Sequence, residues 1–126
     1  MIDRVPPQNI EAEQAVLGAM MIDKEAISKA TEILRENDFY RQDHRAVYQV
    51  IVDLFSKNQA VDMVTVTEAL KREGKLEDVG GIQFITYLAN AVPTAANISY
   101  HAKIVEEKSL LRQLISVSTQ IAETGK

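Results

Sequence analysis

The chain has few residues of the kinds that make or break bonds, and none of them has the spacing such chemistry needs. A phosphate-cradling loop takes the form G-x-x-x-x-G-K-[ST], in which glycine amides hold the phosphates and the lysine reaches them. Gly74-Lys75 is followed by Leu76 and has Ala69 where the first glycine belongs, and Gly125-Lys126 ends the sequence. With no cysteine and two histidines, the chain lacks a thiolate nucleophile, a disulfide framework and a Cys-based zinc site, and offers little for a His-rich one. His44 or His101 could serve a Ser-His-Asp arrangement, yet no serine sits in a G-x-S-x-G elbow. Both histidines fall among apolar helical residues, His101 near Ile104 and Val105. There a neutral imidazole making one hydrogen bond is the expectation. Glu106-Glu107, with Lys103 and Lys108 close by, read as a solvated, ion-paired face and not as a general acid and base. No catalytic, cofactor-binding or metal-binding residue is therefore expected.

The elements that carry these residues are helical. Gly and Pro number only five and three, apolar spacings are mostly 3 and 4, and period-2 alternation is scarce. Pro6-Pro7 fixes an extended lead-in, Asn9 is an N-cap, and Glu11 and Glu13 lie near the positive end of a first helix from Ile10 to Ile22. Asp23 caps a second helix with Ile27, Ala30, Ile33 and Leu34 inward, fraying near Asn37. His44, Val47, Tyr48, Ile51, Leu54 and Phe55 form the wide buried face of a third, which Lys57, Asn58 and Gln59 end. Asp62 caps a short helix carrying Val66, Ala69 and Leu70, with Gly74 left-handed at its end. Val79-Gly80-Gly81 is a turn. Ile82, Ile85, Leu88 and Ala89 make the inward stripe of the next helix, which must end before Pro93.

Thr94 is expected to cap the last helix, from Ala95 to Thr119 or Glu123, about 25 to 30 residues against a usual 11 to 12 or so. The chain divides accordingly into a helical head, residues 1–93, and a projecting arm, residues 94–126. On the arm Leu110, Leu114, Val117 and Ile121 form one stripe and Leu111, Ile115, Ser118 and Ala122 a second. Together they cover roughly 160° of arc, wider than the ~100° one core requires. The arm is expected to pack against a second copy through Leu111, Leu114, Ile115, Ser118 and Ala122, because exposed apolar patches mark interfaces.

At 126 residues the chain is of one-domain size, with 46% apolar and 25% charged residues, ordinary for a globular fold. Its net charge of -4 gives no general attraction to phosphate backbones. Helix, glycine turn and helix over Thr65–Ala91 have the spacing of a helix-turn-helix, so a free-standing nucleic-acid-binding regulator is the alternative reading. From Leu76 through Ala102, however, there is no Lys or Arg, and its recognition helix would meet phosphates without a cation. No apolar run approaches the ~18 residues of a membrane span, and the start lacks the pattern of a signal peptide. A cytoplasmic location is expected.

The run Arg4-Val5-Pro6-Pro7-Gln8-Asn9-Ile10-Glu11-Ala12-Glu13-Gln14-Ala15-Val16-Leu17-Gly18 resembles the start of bacterial replicative hexameric helicases of the DnaB type. Asp38-Phe39-Tyr40 with His44, Val61-Asp62-Met63-Val64-Thr65-Val66, Val79-Gly80-Gly81, Val92-Pro93-Thr94-Ala95-Ala96-Asn97-Ile98 and Ile104-Val105-Glu106-Glu107-Lys108 follow in that family's order. The resemblance covers Arg4 to Glu123 and implies an all-α N-terminal domain whose long helix is the first arm of a hairpin. It further implies a domain without catalysis that forms dimers within a hexamer and docks the C-terminal helicase-binding domain of primase. ATP, Mg and DNA would be handled by a RecA-like motor beyond a linker, so the chain is expected to be a piece of a longer protein. A few buried side chains carry most interface energy, and Phe84 on the head with Ile115 and Ile121 on the arm are the primase-facing candidates.

Overall fold

The computed structural model describes the backbone of residues 5–124 and the side chains of residues 5–119. Helix α1 (Ile10–Ile22) starts where Asn9 Oδ1 accepts the Ala12 N–H at 2.9 Å. It is apolar on nearly every side, and a helix of that kind has to be surrounded. Helices α2 (Lys24–Ile33), α3 (Gln42–Ser56), α6 (Gly81–Ala89) and α7 (Ile98–Thr124) all pack on it. Asp23 ends α1 and caps α2 through the Glu25 N–H at 2.9 Å. Helix α4 (Met63–Arg72) opens with a reciprocal cap, in which Asp62 Oδ1 accepts from Thr65 N and Thr65 Oγ1 accepts from Asp62 N, each at 2.9 Å. The single turn α5 (Leu76–Val79) joins it to α6. Gly80 and Gly81 have φ of +111° and +75°, which L side chains rarely adopt. Among the described residues every regular element is helical, so the fold is all-α, a multi-helix head followed by one long helix.

Three elements depart from the sequence expectation. Helix α2 does not fray near Asn37: it stops at Ile33, and Glu36–Asp38 form a fixed 3-10 turn in which Asp38 Oδ2 accepts the Arg35 N–H at 2.6 Å. Buried Leu34 sits extended between them, its carbonyl accepting from Tyr48 Oη at 2.9 Å. Burial pushes that phenol up to about 12, so the hydroxyl stays a donor throughout the neutral range. Helix α7 begins at Ile98 and not at Ala95, because Thr94 Oγ1 accepts the Ala96 N–H at 3.2 Å and holds a turn first. Such local hydroxyl bonds compete with helix initiation. The inward line of α6 runs through Gly81, Ile85 and Leu88, with Ala89 half-buried, whereas Ile82 is 56% exposed. At 100° per residue Ile82 lies about 90° round from that line.

Gly18 sets how closely α1 and α6 approach. A Cβ built on it would stand 2.3 Å from the Leu88 carbonyl oxygen and 3.3 Å from the Ala91 Cβ. The first neighbour is backbone, so relief requires moving a helix end and not rotating a side chain. Gly18→Ala is therefore expected to cost about 1 to 3 kcal/mol, the range for overpacked cores, despite the better helix propensity of alanine. Chemical denaturation of the two proteins measures the difference.

Candidate interaction surfaces

A buried polar pair underlies the head surface. Glu13, 1% exposed on α1, accepts from Tyr40 N at Oε2 and from His44 Nδ1 at Oε1, both at 2.7 Å. The apolar character of α1 arises around this one carboxylate. His44 is fully buried and makes the single hydrogen bond expected of it, but to a carboxylate; among the described residues its Nε2 has no hydrogen-bond partner. Asp43 Oδ1 is 4.0 Å from that nitrogen. Asp43 also pairs with Arg41 through Oδ2 at 2.6 Å and accepts its neighbour's N–H at 2.8 Å. Partial burial raises its pKa, but the Arg41 hydrogen bond, the charges of His44 and Arg41 and the backbone donor outweigh that and hold it below 3.8.

Phe84, the head residue singled out in the sequence, is half-buried on α6 with its ring parallel to His44, centroids 5.8 Å apart and planes at 4°. The ring thus packs against the core while remaining partly open to solvent. Tyr87, 58% exposed on the same helix, and Ile82 are more open to solvent, although the sequence reading placed one inward and passed over the other. His101 is not a core histidine: it is half-buried, about 100° round α7 from Ala102, with its ring edge-on to Tyr100 at 5.7 Å.

On α7 the line facing the head is Ile98, Ala102, Val105 and Ser109, all buried. Leu110, Leu111, Leu114, Ile115 and Val117 lie round the opposite side at 100° per residue, with Leu114 63% and Ile115 52% exposed. Ser118 is exposed too. The side chains of Ile121 and Ala122 lie outside the described residues. The head cannot reach this apolar arc, because the same helix already turns its other face to it. The join between buried and exposed halves is made by residues the sequence reading did not single out. Ser109 Oγ donates to Asp38 Oδ1 at 2.7 Å, and Arg112 donates to the carbonyls of Pro7 and Asp38, each at 2.7 Å. An arginine facing a D-F-Y turn that begins 74 residues earlier leaves no mark in local periodicity.

The remaining surface offers little chemistry. Among the described residues no three His, Cys, Asp or Glu side chains cluster as metal ligands, and no helix is long and apolar enough to cross a membrane. A cleft of about 450 Å³ is lined by Lys24, Phe55, Asn58, Gln59, Ala60 and Val61, which include no carboxylate and, apart from the Lys24 amine, no nucleophile. The Thr65–Ala91 segment buries Ile85 and Leu88 of its second helix in the core, and α6 carries no charged residue.

The chain matches the family model described as DnaB-like helicase N terminal domain over residues 5–107. It is 54% identical over 123 residues to the replicative DNA helicase DnaC of Bacillus subtilis (strain 168) and 50% identical over 123 residues to the replicative DNA helicase DnaB of Geobacillus stearothermophilus. Each match takes in 98% of this chain and 27% of the relative, so the chain spans about a quarter of the length of these curated relatives. Its fold superposes on the crystal structure of the N-terminal domain of DnaB helicase from Mycobacterium tuberculosis with a TM-score of 0.93 and 45% identity, covering 96% of this chain and 88% of that one. A structure described as a DnaB-like replicative helicase and its interactions with primase gives a TM-score of 0.77 at 34% identity, covering 92% and 27%.

The Asp43 carboxyl is more acidic in the folded chain than an ordinary aspartate. A group whose folded pKa lies below its unfolded value stabilises above the unfolded value and loses that contribution as pH falls through the folded one. Asp43→Asn is therefore expected to melt below the unsubstituted protein at pH 7, with the gap closing as pH drops below about 4. Melting temperatures of both proteins from pH 7 to 2.5 supply the check.

Proposed function

The chain belongs to the DnaB-like helicase N-terminal domain family, and from that premise we propose that it is the assembly and primase-docking module of a replicative DNA helicase. The observation that carries this reading is the apolar arc of α7, turned away from the head and left open to solvent. A buried arc would have implied a self-sufficient helix bundle. The relative whose structure is described with its primase interactions supports the choice of partner.

On this reading the module does no chemistry itself. ATP, Mg and DNA are engaged by a motor domain in the remaining three quarters of the length of such relatives, and the unwinding of duplex DNA at the fork belongs to that whole protein. The copies pair as dimers within a hexamer, with Leu111, Leu114, Ile115, Ser118 and Ala122 on the arm as the self-association stripe. The C-terminal helicase-binding domain of primase meets Phe84 on the head and Ile115 and Ile121 on the arm. A cytoplasmic site of action follows from that role. The regulator reading, by contrast, would need a cationic helix, and α6 has none.

Replacing Leu114 and Ile115 together by Glu is expected to shift sedimentation toward monomer with helix content nearly unchanged. A wild-type protein that is already monomeric at high concentration would remove the stripe from self-association. Phe84→Ala is expected to weaken binding of the primase C-terminal domain with little change in melting temperature. A melting temperature lowered in line with the ~3 to 5 kcal/mol of a buried Phe→Ala change assigns the ring to the core instead.

A further inference from the structure

The three residues Asp38, Phe39 and Tyr40 are held from every side. Asp38 N donates to Arg35 O at 3.0 Å and Phe39 N to Glu36 O at 3.2 Å. The other three bonds to this backbone come from side chains of three different helices. Glu13 of α1 accepts from Tyr40 N, Arg45 of α3 donates to Phe39 O, and Arg112 of α7 donates to Asp38 O, all at 2.7 Å. Phe39 is fully buried, its ring 4.9 Å from that of Tyr48. The turn has little room to adjust in one place without moving in another, because close-packed interiors transmit strain.

This turn lies between the two surfaces described above. On one side Ser109 and Arg112 grip it where α7 leaves the head, with the Arg112 guanidinium 5.4 Å from the centre of the Tyr40 ring. On the other side Tyr40 N fixes one oxygen of Glu13, whose second oxygen fixes His44, whose ring lies against Phe84. Each step is a short hydrogen bond or a ring contact, and Ser109, Glu13 and His44 are at most 2% exposed. We propose that the Asp38–Tyr40 turn is a relay that couples the direction of the α7 arm to the packing of the Phe84 face. A load on the arm then reaches Phe84 through Arg112, the turn, Glu13 and His44, and a ligand on Phe84 acts back on the arm with equal coupling. The functional use of the relay rests on the docking role proposed for these surfaces. The coupling itself is read without any partner, so failure of the docking reading and failure of the relay are separate results.

The test is made in the free protein. Arg112→Met removes the guanidinium donors while keeping an unbranched side chain, and Glu107→Gln on the exposed side of the same helix is the control. NMR ring resonances of His44 and Phe84 are expected to shift in Arg112→Met and not in Glu107→Gln, with the Ile27 methyls, in the core outside the relay, changing least. Shifts that stop at the Tyr40 amide overturn the proposal. A double-mutant cycle adds a second measurement, since independent sites without shared partners give additive effects. Here Phe84→Leu combined with Arg112→Met is expected to depart from the sum of the single melting shifts by more than about 3 °C, and agreement within that margin overturns the relay. If Arg112→Met does not fold, Arg112→Lys, which keeps a charge and loses the two-pronged grip, takes its place in both measurements with the same outcomes.

Discussion

A carboxylate placed in the middle of a helix bundle must be partnered or the bundle does not form. Glu13 sits on α1, the helix around which the others are arranged, and is removed from water almost completely. Stripping a carboxylate of its hydration costs several kcal/mol even after relaxation. The fold offsets this with the Tyr40 N–H on one oxygen and His44 on the other. Both donors come from outside α1, so the register of α1, the D-F-Y turn and the start of α3 are fixed against one another. Removing one partner of such a buried pair typically costs about 3 to 5 kcal/mol, comparable to a large fraction of a domain's whole stability.

The arm follows from the same place. Asp38 uses one carboxylate oxygen to close its own turn and the other to accept from Ser109, and its carbonyl accepts from Arg112. Beyond Arg112 the described side chains of α7 are exposed, and the apolar arc turns outward. The described part of the chain thus combines a head that holds the direction of α7 with an apolar arc left open to solvent. Membership of the DnaB-like helicase N-terminal domain family accords with the assembly and docking role proposed above, which asks for open surfaces and a fixed geometry.

Much of this was legible in the sequence. Asn9, Asp23 and Asp62 acted as the caps their types suggest, and Gly74 took its left-handed place with φ of +69°. The all-α class and the excess apolar width of the last helix also came from spacing alone. The failures share one cause. Ile82 falls inward by its neighbours' periodicity, but α6 is only nine residues long and its rotation is set by the close approach of Leu88 to Gly18. His101 stands among apolar residues in sequence, yet the exposed and buried sides of α7 are decided by where Ser109 and Arg112 bind the head.

The sequence by itself determined which segments are helical, which residues cap α1, α2 and α4, the lack of a phosphate-loop motif, and the family to which the chain belongs. These are properties of neighbours within about four residues, the reach of caps, turns and helical periodicity, or of motifs in a fixed order. Only the tertiary structure decided that Glu13 is buried and paired with His44, that Phe84 lies on that pair, and that Arg112 ties the arm to a turn 74 residues earlier. A glutamate in the first turn of a helix normally points to water, and nothing nearby marks this one as different. Its burial becomes favourable only when two donors from distant parts of the chain are brought to it, and that is settled by how the helices pack.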